Sequence, residues 1–422
     1  MVEAQRTTTE TEVPAAAPVR ADLLLAIVGH AGVETIGPML RTAEQGLIRA
    51  FPGRSGVVLL ADQDASDATL AAARDALTDP TRLILLARPS EAQRAGPLAA
   101  RAQVLKLIFE AAAALGAEAV AAVDADLTSP ERQGIDRLFR PVVEHGADFV
   151  APYYARPRFT GAITSSIVYP FTRALYGRRL RFPTGGDFAC SGRFSQFCLA
   201  QGAWGGDGGR IVTDLWLAHR ALTGGFKLSQ AVIGVRWGSA ADEDADLTTV
   251  LARVLGVLFG EAERNVPFWQ RVRTSEPVAL IGTPIGVEQD GPAVELKQTV
   301  DAFRLGLEHL MPVWEAVLPP TTRHELRKLA RRGEDEFRLP DPLWARIVYD
   351  FAIGFHARVM SREHLLSAFT PLYLGWFASH VSEMAGADFA RTELRVEDLC
   401  LRFEAEKPYL ISRWRWPDRF NP

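Results

Sequence analysis

The 422-residue sequence predicts an α/β domain built on a mostly parallel, doubly wound sheet, followed by an all-helical domain. Three observations predict it. Between Ala21 and Val150, short apolar runs alternate with segments of helical spacing. After about Val150 the rhythm loosens into loops rich in Gly, Arg and aromatic residues, such as APYYARPRFTGAIT and RFPTGGDFACSG. From about Phe268 onward helical periodicity dominates, with little strand character. Alternating strand and helix implies right-handed crossovers and hence parallel strands. The expected divisions are residues 1–20 as a disordered lead-in, 21–270 as the α/β domain and 271–422 as the α-helical domain, with SEPVALIGTPIGVEQDGP as the link.

Each element has its own reason. ADLLLAIVGH is an apolar run that breaks on Gly-His, and GVETIGPMLRTAEQGLIRAF then places apolar side chains at helical intervals. SGVVLLADQDASD repeats the pattern, and Ser66 or Asp67 caps the helix that begins at TLAAARDAL. TRLILLARP is a third strand, LAARAQVLKLIFEAAAAL a long helix, and EAVAAVDAD a fourth strand. In the last third, AVELKQTVDAFRLGLEHLMPVWEAVL, PLWARIVYDFAIGFHARVM and FTPLYLGWFASHVSEMAG all read as helices.

Composition narrows the function classes. A formal net charge of -4 gives no electrostatic case for nucleic acid or for an anionic membrane surface. The three cysteines, Cys190, Cys198 and Cys400, show no CxxC spacing, so neither a disulfide framework nor a zinc ribbon is indicated. The opening residues lack a basic stretch followed by an apolar one, and no apolar run is long enough to span a bilayer. The expectation is a soluble protein of the reducing cytoplasm.

Four stretches bear on chemistry. In AVAAVDADLTSP, Asp124 and Asp126 leave the end of a buried strand on one face, because side chains alternate along a strand. Two carboxylates so close call for a cation, and a hard divalent ion such as Mg²⁺ or Mn²⁺ suits them; the alternative is a turn in which Asp126 caps the next helix. In PTGGDFACSG, Gly185 and Gly186 allow close backbone approach, and Asp187 is placed to accept sugar hydroxyls; a plain loop is the alternative. In RIVTDLWLAHR, Asp214 lies inside an apolar helical pattern, where a carboxylate is costly unless paired or working. His219, five residues on, reads as an ordinary core or surface histidine. In YYARPRFTGAITSS, Arg156 and Arg158 offer bidentate donors for carboxylate or phosphate, with Thr160 and Thr164 as hydroxyl partners, unless the loop is merely solvated.

Taken together, VDADL, APYYARPRFTGAIT, YPFTRALYGRRLRFPTGGDFACSG, TDLW, PLYLGWFASHV and KPYLISRW resemble the mannosylglycerate synthase and glucosylglycerate synthase group of retaining glycosyltransferases. The resemblance runs from about Ala21 to the C-terminal helices. It implies a GT-A fold, a nucleotide-sugar donor (GDP-mannose or UDP-glucose), a small hydroxy-acid acceptor such as D-glycerate, and a homo-oligomer. Asp124 and Asp126 then match the metal and diphosphate motif. Asp62, Gly185 and Gly186 match donor contacts, Asp187 and Asp214 the active-site carboxylates, and Arg156, Arg158 and Thr164 the acceptor site.

Two positions depart from the pattern. Where relatives carry a histidine metal ligand after the strand ending GVRW, Gly238 stands here, so the third ligand is water, a carboxylate such as Asp242 or Glu243, or missing. Where relatives carry a diphosphate lysine, Pro97 stands, and Arg94, Arg101 or Lys106 is the replacement; Arg101 is assigned to the donor. These losses keep a second class open, a catalytically impaired relative that binds nucleotide or sugar without turnover. A dinucleotide-dependent dehydrogenase is disfavoured, since the first turn reads VGHAGVETIG and lacks GxGxxG.

Overall fold

The computed structural model of the protein describes residues 20–29, 32–61, 66–79, 82–85, 97–125, 134–201, 204, 210–236, 246–287 and 294–415. The chain packs as two compact units, each built from separate stretches: residues 1–153, 185–234 and 279–283 in the first, and 154–184, 235–278 and 284–422 in the second.

The first unit contains the sheet. Its strands in chain order are β1 (Leu23–Val28), β2 (Gly56–Ala61), β3 (Leu83–Leu85), β4 (Ala119–Asp124) and the start of β5 (Phe149–Ala155). After β6 (Arg178–Arg179), a two-residue strand of the second unit, come β7 (Phe188–Ser191) and β8 (Leu228–Val235). β9 (Glu276–Pro277) pairs with β6, and β10 (Ala279–Ile281) joins the main sheet, whose order is β10-β8-β5-β7-β4-β1-β2-β3. The pairs β1/β2, β1/β4, β2/β3 and β8/β10 are parallel, as the strand-helix alternation requires, and β7 runs antiparallel to both β4 and β5. β1 and β4 are buried along their whole length, which explains why they read as unbroken apolar runs rather than alternating ones.

Helices cover the sheet. α1 (Val33–Ala50) buries Ile36, Leu40, Ala43 and Leu47 at helical spacing. α2 (Asp67–Ala76) is capped by Ser66, whose hydroxyl accepts the Thr69 N–H. α3 (Pro97–Leu115) opens on a proline, the residue whose missing N–H costs nothing in the first turn. α4 (Ile135–His145), α6 (Gly192–Ala200) and α7 (Arg210–Thr223) also belong to the first unit, and α5 (Tyr169–Tyr176) to the second.

In the second unit the expected helices form over Leu296–His309, Asp341–Ala357 and Thr370–Glu383, and a further helix spans Phe389–Arg415. The linking segment is not purely a connection, because its Ala279–Ile281 stretch adds an edge strand beside β8. Among the described residues no helix is long and apolar enough to cross a membrane, and the three cysteines are buried thiols.

Candidate functional site

In the first unit four polar side chains converge at the carboxyl end of β4, the edge of an open α/β sheet where ligands gather. Asp124 ends β4 opposite Val28 of β1 and is 3% exposed. Its backbone N–H donates to Oδ1 of Asp187 at 2.7 Å, and Asp187 itself is buried just before β7. Gly186 sits between with φ +87°, a left-handed conformation that glycine adopts without strain, and this turns its carbonyl toward α3. Asp214 comes from α7 and is buried.

Arg101, on α3, ties these groups together. Its Nη1 donates to Asp124 Oδ1 at 3.0 Å, its Nε to Asp214 Oδ1 at 3.1 Å, and its Nη2 to the Gly186 carbonyl. Burial by itself would pull the guanidinium's pKa down, but the Asp214 and Asp124 carboxylates overcome it and hold the group firmly protonated. Burial pushes the Asp214 carboxyl up to about 6, against the pull of Arg101, and Asp124 adds to the rise. Asp214 Oδ2 is buried with no hydrogen-bond partner among the described residues.

Hard carboxylate oxygens, with Asp214 Oδ2 buried and unpartnered among the described residues, are the donor type that suits a divalent cation. Arg101 already engages one oxygen of Asp124, so an ion held there competes with the guanidinium. Among the described residues no three His, Cys, Asp or Glu side chains are grouped closely enough to hold a metal ion, so Asp124, Asp187 and Asp214 do not form a metal site by themselves.

The second unit carries a separate cavity of about 500 Å³. Arg156 and Arg158, from the turn after β5, line it together with Arg181, Phe182, Phe389 and Glu393. The Arg156 guanidinium lies over the rings of Tyr154 and Phe182, 5.2 and 5.1 Å from their centroids. Gly161 has φ +73°, and a Cβ there would fall 2.2 Å from Arg156 Nη1, so this turn needs glycine to seat the arginine. Arg181 makes a two-point pair with Glu393 (2.9 and 3.0 Å) and donates to Ser165 Oγ at 3.1 Å. Arg158 donates to the Met384 carbonyl at 2.8 Å. Thr164 opens a π-helical turn over Thr164–Val168 and hydrogen-bonds Thr184 at 3.1 Å, outside the cavity's lining.

The predicted residues therefore fall into two groups, each within its own unit. Asp124, Gly186, Asp187, Asp214 and Arg101 are brought together in the first, with Gly185 beside them in sequence, and Arg156 and Arg158 share a cavity in the second. Asp62, Asp126, Arg94, Gly238, Asp242 and Glu243 lie outside the described residues. Lys106 pairs with Glu110 one helical turn on, along the surface of α3, and takes no part in the acidic cluster. His219 is a core residue, fully buried with its Nδ1 2.7 Å from the Leu215 carbonyl. Sequence reasoning did not single out Arg181, Phe182 or Gly161. The RRLRF stretch was a usable signal for the first two, being basic and aromatic immediately before the Gly-Gly-Asp loop.

No protein-family model matches the chain, and no curated protein matches it. Similar solved structures include a mycobacterial protein, at 19% identity and TM-score 0.38 over 58% of this chain and 74% of that one. Another is the mannosyltransferase PcManGT from Pyrobaculum calidifontis in complex with GDP-Man and Mn²⁺, at 14% identity and TM-score 0.34 over 95% of this chain and 88% of that one.

Proposed function

We propose that the chain moves a hexose from a nucleotide sugar (GDP-mannose or UDP-glucose) to a small hydroxy acid such as D-glycerate, with retention at the anomeric carbon. The observation that carries this reading is the convergence of Asp124, Asp187 and Asp214 around Arg101 at the carboxyl edge of the sheet. A divalent ion, Mg²⁺ or Mn²⁺, held by Asp124 and Asp126 would supply charge neutralisation to the departing diphosphate.

The chain's own residues do the rest. Arg101 fixes the carboxylates of Asp124 and Asp214 in place, so neither has to be ordered when the donor arrives. Gly185 and Gly186 leave room for the donor sugar, Asp187 accepts its hydroxyls, and Asp62 contacts the nucleoside. Arg156 and Arg158 hold the acceptor's carboxylate, and Thr164, which lies outside the lining of their cavity, serves the neighbouring hydroxyl. The acceptor oxygen bonds to the anomeric carbon as the bond to the diphosphate oxygen breaks on the same face. That diphosphate oxygen takes up the hydroxyl proton, so no strong protein base is needed. Positioning and charge supply the rate.

Asp214→Asn tests this, because it removes a charge while keeping the shape. Nucleotide-sugar consumption should fall at least 100-fold with the melting temperature little changed; full activity in the variant would refute the assignment.

A second reading is a binding protein without turnover. The observation favouring it is that Arg101 engages both Asp124 and Asp214, the carboxylates that transfer would use. Calorimetry with UDP and GDP, with and without Mn²⁺, separates the two, since tight metal-independent binding with no product formation belongs to the second.

A further inference from the structure

We infer that Phe159 is a positioning residue: a ladder of rings from the helices of the second unit holds its side chain, and so fixes the Arg158 guanidinium at the cavity wall. The inference rests on the acceptor reading above and adds what keeps that site's turn in place.

The turn after β5 reads ARPRFTG, two arginines and a threonine ending on a glycine in the left-handed region. A polar surface turn of that composition is mobile unless something ties it down. Phe159 is its one aromatic side chain, and it is half-buried. Its ring stands edge-on to Phe377 and His380, with centroids 6.3 and 6.1 Å away and planes at 88° and 85°. That is the favourable T-shaped arrangement of aromatic pairs. Phe377 and His380 lie one turn apart in Thr370–Glu383, side by side on one face.

Behind them the ladder continues into the core. His380 stacks on Trp376 at 4.9 Å, and Trp376 on Trp344 at 5.8 Å, all three buried. The Trp344 indole N–H then donates to the Ser166 carbonyl at 3.0 Å. One stack therefore pins the chain at both Phe159 and Ser166, the stretch that contains Thr160 and Thr164.

Arg158 is held by the same helix. Its guanidinium lies over the Phe159 ring, 5.7 Å from the centroid, and its Nη1 donates at 2.8 Å to the carbonyl of Met384, which caps Thr370–Glu383. A long, flexible side chain is thus ordered against one rigid element before a ligand arrives, which lowers the cost of binding. The stretch PLYLGWFASHV, in sequence an apolar helix, supplies Trp376, Phe377 and His380 to this support.

Kinetics of the full chain with a nucleotide sugar and D-glycerate test the inference. Phe159→Ala should raise the acceptor KM about ten-fold, while the donor KM and kcat at saturating acceptor stay near the parent's. Phe159→Tyr keeps the ring and should restore the acceptor KM. A second readout needs no turnover: reaction of Arg158 with phenylglyoxal, followed by peptide mass spectrometry, should run several-fold faster in Phe159→Ala and at the parent's rate in Phe159→Tyr. Phe377→Ala, at the other side of the Phe159 ring, gives both readouts should Phe159→Ala fail to fold. Unchanged Arg158 labelling would overturn the inference, as would an unchanged acceptor KM in an active variant. A parent chain that transfers to no acceptor refutes the transfer reading instead, and the labelling then decides the positioning role alone.

Discussion

Arg101 carries more of the candidate site than any other residue. It is 8% exposed and holds Asp124, Asp214 and the Gly186 carbonyl at once. Breaking such a buried pair by removing one partner costs about 3 to 5 kcal/mol, because uncompensated charge stays behind. Arg101→Gln should therefore melt well below the parent without metal and recover more on adding Mn²⁺, as a cation that binds only the folded state stabilises it by mass action. Thermal melts with and without Mn²⁺ check this, and equal Mn²⁺ shifts in both proteins would contradict it. His380 makes a second single-residue case. Its ring stacks on Trp376 at 4.9 Å, and burial, then the charge of Arg395, lowers its pKa to about 3. The unfolded chain takes up a proton below about pH 6.5 while the folded chain does not until about pH 3, so stability falls with pH through that window. His380→Phe keeps the stacking and should flatten the loss between pH 7 and 5 by about 1 to 2 kcal/mol, read from urea midpoints. An unchanged pH profile would show that His380 titrates normally.

At the scale of elements, two helices of the second unit approach through reciprocal glycines. A Cβ on Gly306, in Leu296–His309, would fall 2.2 Å from Pro371 Cβ, and one on Gly375, in Thr370–Glu383, would fall 2.6 Å from Phe303 Cδ2. Gly306→Ala must push the backbones apart, and overpacking of this kind costs about 1 to 3 kcal/mol. Urea denaturation should show that loss; a stabilised variant would mean the helices separate freely. Elements with strong periodicity were legible from the sequence. β1 to β4 are apolar runs bounded by turn residues, and the long helices show their spacing. β5, β7 and β8 were not read from periodicity. β5 contains Pro152, which breaks a strand pattern; its pairing with β7 covers Phe149 and Val150, before the proline. β7 has four residues, too few to show a period, and β10 is a strand only because β8 offers an edge.

At the scale of the molecule, composition shifts near Phe268, yet compactness follows space, and the first unit takes in Gly185–Gly234 and Ala279–Thr283. The candidate site shows the same limit. Asp124, Asp187 and Asp214 were visible as carboxylates in apolar or glycine-rich settings, and Arg101 as a donor-binding candidate, while its pairing with Asp124 and Asp214 was not legible. Arg101 is one arginine in a helix of ordinary pattern, 23 residues from Asp124 and 113 from Asp214 in sequence. The central claim is that this cluster works on a nucleotide sugar. Incubating the full chain with GDP-mannose or UDP-glucose, a hydroxy acid and Mn²⁺, and following the anomeric proton by NMR, tests it most directly. The account predicts a new glycoside with the donor's anomeric configuration, lost in Asp214→Asn; inverted configuration, or an untouched donor with every acceptor, would contradict it.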